Sequence, residues 1–309
     1  MITFSLAILV GIFLPVQTAV NSKLRNFVKS PYLSSMISFL IATVFLALTS
    51  LLTHSAILIS PHTMALVPWW AWLGGVVGVI GLTANILLFP VLGSVQTVIM
   101  PILGQILMSL LIDNFGWFRV SPKPLNFLKI VGALVLIVGV ILIVVVPTLG
   151  TSNEKNQSKS LWIWQIAGII AGMLVASQSA INGELGVVLK SSMHAALISF
   201  AVGSIILLVV VGLFQRDLTD IKLAFGKGKP WWIWIGGFLG ALFVFGNAYL
   251  VPLIGTGAVV VLALLGQMLS SLVVDQFGLL GATIKKIVPI QIVGIVVMFV
   301  GVALIEIIG

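Results

Sequence analysis

Amide side chains recur at matching places in two parts of this chain. Gln17 and Asn21 stand four residues apart in one apolar stretch, and Gln178 and Asn182 stand four apart in another. Residues at that spacing share a helix face. A carboxamide offers two donors and one acceptor oxygen. That chemistry suits recognition of an uncharged polar solute. It equally suits bonding between membrane helices, at about 0.6 to 2 kcal/mol per contact. Spacing alone leaves both uses open. Gln105 and Gln267 fall in the middle of two further apolar stretches, and Asn85 and Asn247 fall toward the ends of two more. Tyr249 has Leu87 at the matching place. It would therefore either add asymmetry to recognition or anchor the chain at the membrane interface.

Asp113 and Asp275 close two apolar stretches. A carboxylate at a helix C-terminus opposes the macrodipole, at a cost of about 0.3–1 kcal/mol. A counter-charge such as Arg119 or Lys285 is expected beside it. Asp113 lies eight residues beyond Gln105, about 12 Å of helix, which puts it at the mouth of any central cavity. There it would serve gating or coupling, or form an interfacial ion pair. Glu184 and Glu306 are span-end acids without acidic counterparts elsewhere in the chain.

Several chemistries are not expected. Cysteine is absent, and His54, His62 and His194 have no metal-ligand spacing, so no metal site or other cofactor is anticipated. Gly226-Lys227-Gly228-Lys229 lacks the spacing of a phosphate-binding loop. No Ser/His pair or paired acids fall within the apolar stretches, so an enzyme is not expected either.

The elements that position these groups follow from composition. Of 309 residues, 60% are hydrophobic and 7% charged, and mean hydropathy is +1.28. Soluble domains carry about 25% charged residues. The chain is thus read as an all-α polytopic membrane protein with the lipid bilayer as its main partner, and a nucleic-acid role is excluded. The excess of 15 basic over 7 acidic residues then reports topology, because basic loops stay cytoplasmic. Ten windows long enough to span are predicted, about 4–22, 31–53, 70–89, 92–112, 127–147, 162–181, 192–214, 231–251, 256–274 and 288–308. All nine tryptophans fall near window ends, at headgroup level. The first segment has no basic leader region, so a removable signal peptide is not expected.

The hydrophilic stretch 150–160 reads as a linker between two copies of one sequence, 1–149 and 161–309. "LPVQTAVNSKL" (14–24) matches "VASQSAINGEL" (175–185) at an offset of 161. At an offset of 162, "PWWAWLGGVVG" (68–78) matches "PWWIWIGGFLG" (230–240), and "GQILMSLLIDNFG" (104–116) matches "GQMLSSLVVDQFG" (266–278). Five spans per copy would leave the second copy upside down relative to the first, the inverted-repeat plan of secondary transporters. A channel or a lipid-translocating protein is the alternative. The stripes Gly74-x-x-x-Gly78 and Gly236-x-x-x-Gly240, and the pairs Gly132/Gly139 and Gly294/Gly301, read as helix-packing positions.

With Gln and Asn near the end of helix one, Trp-Trp-x-x-x-Gly-Gly before helix three, and Gly-Gln-x₇-Asp-x-Phe-Gly occurring twice, the chain resembles the YdcZ-like branch of the drug/metabolite transporter superfamily in its fused two-half form. The resemblance implies a ten-helix small-molecule exporter and names no substrate. A small metabolite or drug-like solute is expected, moved across a bacterial-type plasma (inner) membrane by a chain acting as a monomer or a homodimer. Related small multidrug transporters carry a membrane-embedded Glu in helix one. Gln17 and Gln178 stand here instead, which argues against proton-coupled cation antiport by that route. If both termini lie outside, eleven basic residues fall in cytoplasmic loops against four outside, and charge favours that orientation. The family resemblance favours both ends inside.

Overall fold

The computed structural model describes residues 2–53, 60–144, 146, 161–214, 218–226, 228–281, 284 and 286–305. Within its helices the side chains of 89–91, 93–99, 144, 161, 214, 218, 219 and 275 lie outside that description. So do the expected linker 150–160, His54, Lys285 and Glu306.

Among the described residues every regular element is helical. The α-helices are α1 (Ile2–Val28), α2 (Pro31–Leu52), α3 (Pro61–Leu66), α4 (Gly74–Phe115), α5 (Phe127–Val144), α6 (Leu161–Val188), α7 (Ser192–Phe214), α8 (Gly236–Ile254), α9 (Thr256–Phe277) and α10 (Pro289–Ala303). Local chemistry sets several boundaries. Ser30 accepts from Leu33 N at 3.2 Å ahead of Pro31, a proline at the first helical position. Tryptophan-rich 3₁₀ turns, Trp69–Leu73 and Trp231–Trp234, lead into α4 and α8. Gly116 and Gly278 end α4 and α9 with φ of +64° and +60°, the left-handed conformation glycine adopts without strain. Their N–H groups bond Ile112 O and Val274 O.

Among the described residues seven stretches are long and apolar enough to cross a bilayer, and Met100–Phe115, Phe127–Ile143 and Pro289–Ala303 are shorter apolar helices. These segments follow the ten sequence windows in order. Two windows, 70–89 and 92–112, are nevertheless not separate helices, because α4, which has 42 residues, holds the second and all of the first but 70–73. The reason is a donor supplied by another helix. Pro90 lacks the N–H that would bond Ile86 O, and Arg25 Nη1 donates to that carbonyl instead, at 2.9 Å. In the second copy Pro252 is followed by Gly255 at φ +89°, which ends α8. The two portions of α4 still lie on the same stretch of α6. Gly81 meets Val175, and Pro101 meets Gly172. Those α4 residues are 20 apart, about 30 Å of straight helix, whereas Gly172 and Val175 are one turn apart.

Helices of the first 149 residues pack against those of the second. The closest pairings are α4 with α6, α5 with α10, α1 with α8 and α9, and α2 with α7. The outer surface is apolar, with Val44, Leu48, Val138, Ile205, Val209, Val296 and Phe299 all exposed. Lipid is the solvent such a surface requires.

Glycine carries the α5–α10 contact. A Cβ on Gly132 would stand 2.9 Å from Gly301 O, and one on Gly301 2.9 Å from Gly132 O. Gly139 and Gly294 face each other at the same distances. As one chain rises from 132 to 139 the other falls from 301 to 294, so α5 and α10 run antiparallel. Gln291 Nε2 donates to Ile143 O at 3.0 Å at the end of this contact.

Candidate functional site: buried amides and the joints that hold them

The expected packing glycines make room for amides. The Cβ position of Gly236, at the start of α8, is taken by Asn21 Oδ1, and that of Gly240 by the Gln17 amide. At the start of α4, Asn182 Oδ1 takes the Cβ position of Gly74, and the Gln178 amide that of Gly78. Asn21 Nδ2 donates to Ser38 Oγ at 3.2 Å, and Asn182 Nδ2 donates to Ser199 Oγ at 3.3 Å. Ser34 Oγ donates to Asn21 O at 2.8 Å. Both asparagines therefore tie three helices together, the helix-bonding use of an amide. Among the described residues Asn21 Oδ1 and Asn182 Oδ1 accept no hydrogen bond, and each faces a glycine of a neighbouring helix.

The other amides differ. Asn247 donates back to Phe243 O on its own helix at 2.9 Å, and Asn85 is part-buried. Gln17, Gln105 and Gln267 are buried at 4%, 4% and 6% exposure, while Gln178 is part-buried. Gln267 Nε2 has no hydrogen-bond partner among the described residues, and a buried orphan donor is costly. That N–H is left for something else to accept. Tyr249 is 49% exposed, on the lipid-facing side of α8 and outside the buried set.

Asp113 has a partner that sequence did not suggest. Its carboxylate accepts from Thr256 N at 3.1 Å and Gly257 N at 2.8 Å, capping the first turn of α9 from the other copy. The unsatisfied N–H groups and positive end of a helix dipole supply the compensation expected from a cation. Lys123 joins the same corner. Its Nζ donates to Ile254 O at 2.6 Å, and its N–H to Asp113 O at 2.7 Å. Arg119, the anticipated counter-charge, instead pairs with Glu184 at 3.2 Å. The side chain of Asp275 lies outside the described residues.

Sequence reading also missed how the proline-freed carbonyls are satisfied. Arg25 serves Ile86 O in the first copy. In the second, Ser192 Oγ donates to Ala248 O at a long 3.4 Å, the carbonyl that Pro252 leaves free. The prolines four residues on were the available signal for a freed acceptor. Nothing local named the donor.

A lipid-facing helical molecule with amides buried between its helices is an integral membrane protein. Over residues 2–142 and 163–304 the chain matches the family described as "Putative inner membrane exporter, YdcZ". It belongs to that family of membrane transporters, and the match covers both halves of the chain. No curated protein matches it significantly. It is similar in fold to a solved structure described as "Crystal structure of protein", at 14% identity, TM-score 0.66, and coverage of 98% of this chain and 97% of the other.

Proposed function

We propose that this chain is a secondary transporter that exports a small solute by alternating access. It makes ten crossings as two inverted five-helix halves, 1–149 and 161–309. Inversion places a two-fold axis in the membrane plane, and a rocking motion then exposes one central site to either side. The observation that carries this reading is contact between residues that are copies of one another. Phe39 and Phe200, 161 apart in the chain, stack edge-on with ring centroids 4.9 Å apart. Thr43 and Ser204, also 161 apart, have their hydroxyls at 3.0 Å. A residue meets its own copy only beside a symmetry axis. The antiparallel α5–α10 pair, equivalent helices by the repeat, supports the same relation.

Substrate contacts are assigned to Gln105, Gln267, Gln17 and Gln178, with the free donor of Gln267 at their head. A site built from amides suits an uncharged or modestly polar solute. Asp113 acts at the α8–α9 joint as a gating group. Both termini are placed outside, following the loop charges, which reporter fusions at each end would check.

The test is solute counterflow in proteoliposomes. A carrier exchanges labelled for unlabelled solute, whereas a channel merely equilibrates it. Exchange of at least one solute from a broad metabolite and toxic-cation panel is expected, and Gln105→Ala with Gln267→Ala should reduce it at least about tenfold, the loss of two hydrogen bonds in a dry site. Equilibration without exchange would replace the carrier by a channel. Unchanged exchange in the double variant would remove the amides from the site.

A further inference from the structure

The two copies differ in charge at one corresponding corner. By the repeat, Lys23 stands where the other copy has Glu184, and Gly281 stands where the other has Arg119. The backbone keeps the correspondence, with φ of +57° at Phe118 and +58° at Leu280, one residue earlier in each copy. At the α6 corner Arg119 and Glu184 form an ion pair at 3.2 Å. At the α1 corner the same two positions again meet, but as a lysine against a glycine. Lys23 Nζ lies 3.3 Å from where a Cβ of Gly281 would stand. The place of the acid is taken by a cation, and no side chain faces it from Gly281.

A second cation shares this corner. Lys229 Nζ stands over the Phe27 ring, 4.1 Å from its centroid, and Lys23 Nζ lies 6.0 Å from the same centroid. Among the described residues no carboxylate comes within 4.0 Å of either ammonium. Two ammoniums gathered near one ring repel each other, and an anion that reaches both relieves the repulsion. Depth identifies the anion's source. Trp231, two residues beyond Lys229, is 77% exposed, and exposed indoles mark the headgroup layer. Phe277 and Leu279, just before Gly281, are 67% and 45% exposed and offer apolar surface to an acyl chain.

We propose that an anionic phospholipid seats its phosphodiester between Lys23 and Lys229, supplying at the α1 corner the negative charge that Glu184 supplies at the α6 corner. The lipid is a structural partner distinct from any transported solute, and the site stands or falls independently of the transport reading.

The test uses the purified, delipidated full chain in a neutral detergent. It is titrated with phosphatidylglycerol, phosphatidylcholine or inorganic phosphate, and read by native mass spectrometry and by the thermal unfolding midpoint. Phosphatidylglycerol is expected to bind and raise the midpoint, and the other two are not. Lys23→Gln with Lys229→Gln should weaken phosphatidylglycerol binding about tenfold or more, since each basic group near an anionic headgroup contributes comparably. Lys190→Gln, an exposed lysine just beyond α6 in the other copy, should leave binding unchanged, and Lys23→Arg with Lys229→Arg should retain it. Equal response to phosphatidylcholine or to free phosphate overturns the lipid site. So does full binding by the double Gln variant, equal loss in Lys190→Gln, or loss in the double Arg variant.

Discussion

A carboxamide buried among helices in a bilayer needs partners for one oxygen and two N–H groups. Asn21 and Asn182 find theirs in the same way, with a serine on the next helix for the nitrogen and a glycine face for the oxygen. The glycine is thus a receptor for the amide as well as a thin spot for packing. Gly236→Ala puts a methyl group where Asn21 Oδ1 now sits, and overpacking of this kind costs about 1–3 kcal/mol. Thermal unfolding in detergent should show that loss. Adding Asn21→Ser to the Gly236→Ala chain should recover part of it, because the shorter side chain vacates the collision. Strictly additive losses would mean that the two residues do not touch. Asp113 makes the same point about oppositely charged ends. The carboxylate that sequence places against an unfavourable dipole at the end of α4 sits on the favourable dipole at the start of α9.

At the level of the element, α4 shows how a neighbour decides whether proline ends a helix. Pro90 and Pro252 are repeat equivalents, and each leaves a carbonyl without its helical donor. Arg25 fills the gap at Ile86 O, and α4 continues. Arg25→Leu should therefore destabilise the protein by about 1–3 kcal/mol, the cost of an orphaned buried acceptor. In an Arg25→Leu chain, Pro90→Ala should restore much of that loss, since an alanine in the proline's place brings its own N–H. If Pro90→Ala instead lowers stability further, the arginine is not serving that carbonyl. The apolar windows were legible because twenty consecutive apolar residues are a local property. The continuity of α4 was not, because its donor lies 61 residues away.

Across the whole molecule, contacts between a residue and its own copy define how the halves meet. The chain contains no cysteine, so a designed pair reports without background. Thr43→Cys with Ser204→Cys should cross-link under mild oxidation, their hydroxyls being 3.0 Å apart. With a protease site placed in 150–160, the cleaved halves should migrate as one species until reduced. Halves that separate without reductant would exclude the axis between α2 and α7.

The sequence by itself determined the membrane class, the apolar windows, the duplication and the family, because hydropathy, periodicity and repeated motifs are written in consecutive residues. It also marked the carbonyls that proline leaves free. Only the tertiary structure decided which group answers each need: α9 for Asp113, Glu184 for Arg119, Ile86 O for Arg25, and glycines for the four amides on α1 and α6. Each of those partners is brought in by helix packing from far along the chain. A hydrogen-bonding group states what it requires through its chemistry, while the partner it receives is set by which backbone comes within about 3 Å.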